Sequence, residues 1–434
     1  MRSLFGALAG LSLILLASSA LAQSDVAEFR RLRAEGVAAA NADDLATASE
    51  RLAQADAVIP NHPGMMLMRA RLAVQGGDLA GGVTQLGRYA SAGLILDPSQ
   101  DAALSLLADT PGYAEIIARI ADNREPVGAE RLSVVTALPA GGLAEGVARD
   151  EARKRWLVSQ VAGRTIVAVD DAGTVTPFLT QAPSTGGVLG LVVDATRGWV
   201  WAVGAPLPPA MHAIDETPPP TTALLRIELS SGRILARHPA PDGKADRTFG
   251  DIALGPDGAV YVAASGGGEV FRLAPGGEAL TVLVGSGLFG SPQGMTVTPD
   301  GRALIVVDYS SGLYRVDLAS GTVARMAAPA EASLIGVDGL SGDGAVLYAI
   351  QNGVAPQRVL RLTLDPGWTR IETVAVIAAN LPEIEEPTSG LVHNGELVFV
   401  SRSQWSDFAE DGTPRPEAAG QAIIARLKLD GDIQ

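Results

Sequence analysis

The chain has 434 residues, 47% apolar and 19% charged, with 50 Gly, 27 Pro and no Cys. This excludes a collagen, a coiled coil, a disulfide scaffold, thiolate chemistry and predominant disorder, and leaves a turn-rich globular protein long enough for two or three domains. With 48 acidic against 33 basic residues, a balance of −15, it repels phosphate backbones and anionic headgroups, so nucleic acid is not an expected partner.

The first 22 residues read as an export signal: Met1-Arg2 supplies the positive end, Leu4 to Leu16 is almost wholly apolar, and Ala20-Leu21-Ala22 offers a small-residue cleavage site. Cleavage leaves Gln23 as the mature N-terminus, with an uncleaved anchor as the alternative. The expected location is the periplasm or the outside medium. No later stretch has the ~20 apolar residues of a membrane span.

Residues 23–124 read as a helical domain rich in Ala, Leu, Arg and Glu, with apolar residues at helical spacing such as Leu45, Ala48, Leu52 and Ala55. Ala42-Asp43-Asp44-Leu45-Ala46 with Leu52 recurs as Gly76-Gly77-Asp78-Leu79-Ala80 with Leu86, at the ~34-residue period of tetratricopeptide hairpins. Pro60 and Pro63 separate two such hairpins, and short helices are expected over 102–107 and 113–121. Two hairpins are too few for a free-standing solenoid, so this region is expected to dock on the rest. Asn123 to Gly128 is the linker.

From about Leu132 the pattern changes to short β-branched runs between Asp-Gly, Ser-Gly and Pro-Asp-Gly turns, the mark of antiparallel sheet. A short Gly-containing motif then repeats six times: Glu145-Gly146, Leu189-Gly190, Gly250-Asp251, Gln293-Gly294, Asp338-Gly339 and Ser389-Gly390. The period is about 45 residues, the length of a four-stranded propeller blade. The longest interval holds a Pro-rich insertion around Pro206 to Pro220, which has to be loop. The expected fold over 131–430 is an all-β six-bladed propeller, with Arg131 to Leu138 completing the last sheet and closing the ring. An open β-sandwich is the rival architecture.

In a propeller the innermost strands line the central channel, so Glu145, Leu189, Gly250, Gln293, Asp338 and Ser389 should converge near one mouth. Two carboxylates and an amide in that ring form an oxygen-donor set suited to calcium, magnesium or manganese. Glu145 and Asp338 would repel each other without a cation between them. Turn capping is the ordinary alternative for each residue taken singly.

These repeats, with Pro292-Gln293-Gly294-Met295, Pro299-Asp300-Gly301-Arg302 and Asp338-Gly339-Leu340, resemble the gluconolactonase/regucalcin (senescence marker protein) family of six-bladed propellers over about residues 131–430. The resemblance implies a divalent-metal-dependent hydrolase of sugar lactones or related esters. It further implies metal ligation by Glu145 and Asp338, with Asp338 also the catalytic general base. The chain departs from the family pattern at two blades. Gln293 stands where the fourth blade usually has Asn, and Gly250-Asp251 where the third has Asn-Asp, so Gln293 becomes the third expected ligand and Asp251 a substitute substrate-binding group. Arg247 lies one residue from the place of a family substrate-binding Arg.

The remaining candidates read as structural. His62, His212, His238 and His393 share no ligand spacing. Asp308 and Asn352-Gly353 end second strands at a rim, Asn352-Gly353 being a hairpin signal, and Trp405 reads as packing between blades although it could reach a mouth loop. The leading expectation is an exported metal-binding propeller acting on a small-molecule lactone or ester, whose helical domain braces it or recruits a protein partner. The rivals are a non-catalytic binding or assembly module and, less favoured, a quinoprotein propeller. Substrate identity is not readable from these residues, because specificity lives in mouth loops.

Overall fold

A computed structural model describes residues 25–211, 219–241, 247–415 and 420–429. The expected export signal and His212 lie outside the described residues. The helical segment holds α1 (Asp25–Asn41), α2 (Leu45–Val58), α3 (Pro63–Gln75), α4 (Leu79–Ser91) and α5 (Tyr113–Asp122), with two short 3₁₀ turns before α5. The repeated Asp is an N-cap in both copies: Asp44 accepts from the Thr47 N–H and Asp78 from the Gly81 N–H, which satisfies an orphan donor at each helix start. Pro63 occupies the first turn of α3, where its missing N–H costs nothing. The paired helices bury Leu32, Ala48, Leu52, Ala55 and Met65 in one cluster and Ala70, Leu86, Leu104, Leu107 and Ile120 in a second. Among the described residues no helix is long and apolar enough to cross a membrane.

The rest forms six separate four-stranded antiparallel sheets, a six-bladed propeller rather than a sandwich. The innermost strands of blades 1 to 6 are Ala144–Asp150, Gly187–Asp194, Phe249–Leu254, Pro292–Val297, Val337–Asp343 and Gly390–His393. Within blades 1 to 5 the strands follow one another outward in chain order. The sixth is completed by Leu132–Ala137, which pairs with Ile423–Lys428 from Leu132↔Leu427 to Ala137↔Ile423. The two ends of the propeller thus share one sheet, as expected from the sequence, and the ring has no free edge at the closure.

The repeated Gly has a steric cause, because inner strands of neighbouring blades crowd together near the axis. A Cβ on Gly146 would stand 2.9 Å from the Leu189 carbonyl of blade 2, and one on Gly294 only 2.5 Å from the Asp338 carbonyl of blade 5. Only glycine permits that approach. Between the blades, apolar layers such as Phe249, Val262 and Phe271 with Trp201 and Leu224, or Leu304, Val306 and Tyr314 with Tyr261 and Ala263, make up the core.

The helical segment docks on blades 4 and 5, as its short repeat array leads one to expect. Asn61, between α2 and α3, donates to the carbonyls of Ala330 and Ala332, and Arg325 donates to the Val58 carbonyl. Ile95 N–H bonds the Ala355 carbonyl, and the side chain of Asn380 holds the carbonyls of Asn123 and Glu125.

Candidate functional site

In blades 1 to 5 the repeat motif sits where its inner strand departs from regular pairing, whereas Gly390 of blade 6 pairs in register with Phe399. The register slips between Ala144 and Val147, Val188 and Leu191, Phe249 and Ile252, Pro292 and Met295, and Val337 and Gly339. A bulge of this kind frees residues from strict alternation and re-aims their side chains. This matters most in blade 3, where the order is reversed to Gly250-Asp251. Simple alternation would send the Asp251 side chain away from its repeat partners. At the bulge its Oδ1 instead lies 3.2 Å from where a Gly190 Cβ would stand, against the inner strand of blade 2.

Glu145, Asp251 and Asp338, from blades 1, 3 and 5, share one electrostatic neighbourhood. Each keeps some accessible surface, yet lies deep enough in the ring for burial to be the leading cause of its shift. Burial and then the Asp338 charge push Asp251 up to about 7. Burial pushes Asp338 up to about 6, opposed by the hydrogen bond from Asn352. Glu145 is raised well above the usual carboxylate range by burial, then by Asp338, with a smaller push from Asp251 and opposition from Trp405. Glu145 and Asp338 oppose each other's ionisation, while the N–H donated by Trp405 to Glu145 and by Asn352 to Asp338 favours the charged form of each.

Two side chains outside the repeat complete the site. Asn352 Nδ2 donates to Asp338 Oδ2 at 2.7 Å and to the Pro387 carbonyl at 2.9 Å, while its Oδ1 accepts from the Tyr309 hydroxyl at 3.0 Å. All of the amide's main capacity is used, which fixes the carboxylate's orientation. Trp405 Nε1 donates to Glu145 Oε2 at 2.7 Å. Neither role follows from the sequence reading, which made Asn352 a turn residue and Trp405 chiefly an inter-blade packer. Trp405 does pack on the core shared by blades 2 and 3 as well.

Gln293 reaches toward the space that Gly250 leaves empty: its Oε1 is 3.4 Å from the position of a Gly250 Cβ, and its Nε2 donates to Ser291 Oγ at 3.1 Å. The loop ahead of it is held by fully buried Asp308, which accepts from the N–H groups of Gly290 and Ser291. Arg247 is engaged elsewhere. Its Nε and Nη2 form a two-point pair with the buried carboxylate of Glu269 at 3.1 and 2.9 Å, Nη1 donates to the Pro241 carbonyl, and the guanidinium lies over the Phe271 ring. That is the geometry of a structural ion pair, whereas the sequence reading made Arg247 a substrate-binding group. His238 likewise bonds the Glu278 carbonyl and His393 faces Glu151, so the described histidines are dispersed.

Among the described residues no group of three or more His, Cys, Asp or Glu side chains is arranged to hold a metal ion. A cation at this site would need the Gln293 amide, backbone oxygens or water beside the carboxylates. The donor type fits a hard cation, since all candidate ligands are oxygens, and neighbouring acids that raise one another's proton affinity are what a positive charge relieves. Just below the bulges a cavity of about 270 Å³ runs along the axis, lined by all six inner strands, including Asp251, Val147, Thr296, Ser341 and Ser389.

No family model matches the chain, and no curated protein matches it. Among solved structures it is similar to a gluconolactonase from Xanthomonas campestris, at 17% identity over 69% of this chain and 89% of that one, with a TM-score of 0.46. It is also similar to a calcium-binding protein, regucalcin, from Agrobacterium tumefaciens, at 16% identity over 70% of this chain and 95% of that one, with a TM-score of 0.47. A PQQ-bound aldose sugar dehydrogenase from Streptomyces coelicolor matches at 15% identity over 68% of this chain and 97% of that one, with a TM-score of 0.46. These names state different chemistries, so the functional reading rests on the residues of this chain.

Proposed function

We propose that this chain is an exported hydrolase of sugar lactones or related esters that works with a divalent cation of the calcium, magnesium or manganese class. The observation that carries the reading is the gathering of Glu145, Asp251 and Asp338 from alternate blades into one field, with each proton affinity raised. Buried like charges are costly, and their retention beside a channel marks a functional site rather than a structural one.

In this reading Glu145, Gln293 and Asp338 hold the cation, which when bound polarises the substrate carbonyl and favours hydroxide over water. Asp338 acts as general base, ionised at neutral pH and aimed by the Tyr309–Asn352 chain. It takes a proton from water as the water oxygen bonds the carbonyl carbon. The ring C–O bond then breaks, and the same proton returns to the departing oxygen, so a lactone and a water become one hydroxy acid. Trp405, from blade 6, holds Glu145 in place through its Nε1. Asp251 lies at the channel end of the site, where its carboxyl can bind the substrate's hydroxyl groups.

The test is hydrolysis of a panel of aldonolactones by the metal-stripped and metal-restored protein, with Asp338→Asn as control. Loss of one group of a base-catalysed step costs about 10²–10⁴ in rate. Turnover that needs the added cation and falls by this much in the variant supports the reading. Turnover that is unchanged in the variant, or absent throughout the panel, contradicts it.

A further inference from the structure

The helical segment touches the propeller at the loops that lead into and out of the site. Buried Arg358 opens the third strand of blade 5, directly across from Gln351, the last residue of the second. Its Nη1 donates to the carbonyls of Ala92 and Gly93 at 3.1 and 2.9 Å, just past the C-terminus of α4, and its Nε donates to Gln351 Oε1 at 2.7 Å. A cation at a helix C-terminus meets the negative end of the dipole, which suits an arginine whose hydrogen-bond partners here are all neutral oxygens. Burial still lowers it to about 10.

Gln351 carries the chain of bonds onward. With its oxygen occupied by Arg358, its Nε2 donates to the carbonyls of Ser333 and Ile335 at 3.0 and 2.7 Å. That stretch enters the inner strand bearing Asp338 and is braced again by Gly336 N–H to the Tyr309 carbonyl. Ile335 also packs on the core of the first helical hairpin, and Val354 on the cluster of Met66, Tyr89 and Leu94. Both segments that set the Asp338–Asn352 pair, before 338 and after 352, therefore lean on the helices.

We propose that the helical segment is a working part of the site, and that Arg358 and Gln351 are positioning residues which transmit its docking to Asp338. The proposal rests on the reading of Asp338 as base and ligand, but its structural half is read without turnover.

The experiment compares hydrogen–deuterium exchange in the metal-free full chain, and calcium affinity by calorimetry, for Arg358→Gln and Gln351→Glu. Arg358→Gln should speed exchange about tenfold both at 92–96 and at 333–339. Gln351→Glu keeps an oxygen for Arg358 but loses both donors, so it should loosen 333–339 while leaving 92–96 as in the parent. Blade 2, residues 187–205, should stay as in the parent in both, and calcium should bind about tenfold more weakly. The proposal is overturned if 333–339 exchanges at the parental rate in folded variants, if all blades loosen alike, or if the loop loosens with calcium affinity unchanged. A parent protein that binds no calcium refutes the metal reading alone, and the exchange pattern still decides the relay.

Discussion

Replacing Asp251 by Asn tests whether the three carboxylates strain one another. A rise from 3.8 to about 7 means ionising Asp251 is harder in the folded chain than in the unfolded one. At about 1.4 kcal/mol per tenfold this is a ceiling of about 4 kcal/mol. Below about pH 4 the group is protonated in both states and the difference vanishes. Between pH 4 and 7 the folded chain binds more protons than the unfolded one, so stability falls as pH rises, and above 7 the loss is complete. Asn is isosteric, retains the oxygen that accepts from the Ile252 N–H, and also relieves Glu145. The new amide N–H groups have to be hydrated in the channel, which offsets part of the gain. Without divalent cations the variant should be about 1–3 kcal/mol more stable than the parent at pH 8, and equal to it within error at pH 4. Urea midpoints at the two pH values, in chelator, make the measurement. A variant less stable than the parent at pH 8, or stabilised equally at both pH values, refutes the reasoning.

Other substitutions separate roles at neighbouring positions. Asn352→Ala removes the donor that favours ionised Asp338, so the acidic limb of the pH–rate profile should move upward by about one unit while the fold persists; an unmoved limb denies the orienting role. Arg247→Met leaves the buried Glu269 carboxylate unpaired and should cost about 3–5 kcal/mol of stability with KM unchanged. A raised KM at unchanged stability would restore Arg247 as a substrate-binding residue. Gly294→Ala forces a methyl to within 2.5 Å of the Asp338 carbonyl and should destabilise by about 1–3 kcal/mol, read as a lower urea midpoint. Trp405→Phe keeps the packing but not the donor, and should weaken calcium binding by several-fold without a comparable change in stability.

The architecture was legible because its determinants are local and repeated. At Gly146, Gly190, Gly294 and Gly339 the backbone of the next blade comes too close for a side chain, so glycine recurs at blade spacing, and the strand Leu132–Ala137 could be assigned by counting strands in the last sheet. The paired Asp caps show the same periodicity in the helices. The site was legible only in its repeated members. Asn352 and Trp405 act on carboxylates 14 and 260 residues away, and nothing in their own neighbourhoods distinguishes a site residue from a turn or a packing residue. The inversion at Gly250-Asp251 is visible in the sequence, but its consequence depends on the bulge, which is a property of pairing between strands. The ion pair of Arg247 was hidden for a related reason: its partner Glu269 lies 22 residues away at the start of another strand of the same blade, and only the folded sheet brings them together.

The central claim is that Glu145, Gln293 and Asp338 form a cation site that the neighbouring acids keep partly protonated until it is filled. Calcium titration of chelator-stripped protein near pH 7, by calorimetry in two buffers of different ionisation enthalpy, measures both binding and the protons it displaces. The account predicts one cation per chain, release of about one proton, and loss of binding in Asp338→Asn. No binding heat at millimolar calcium, or binding that releases no proton and survives that substitution, would contradict it.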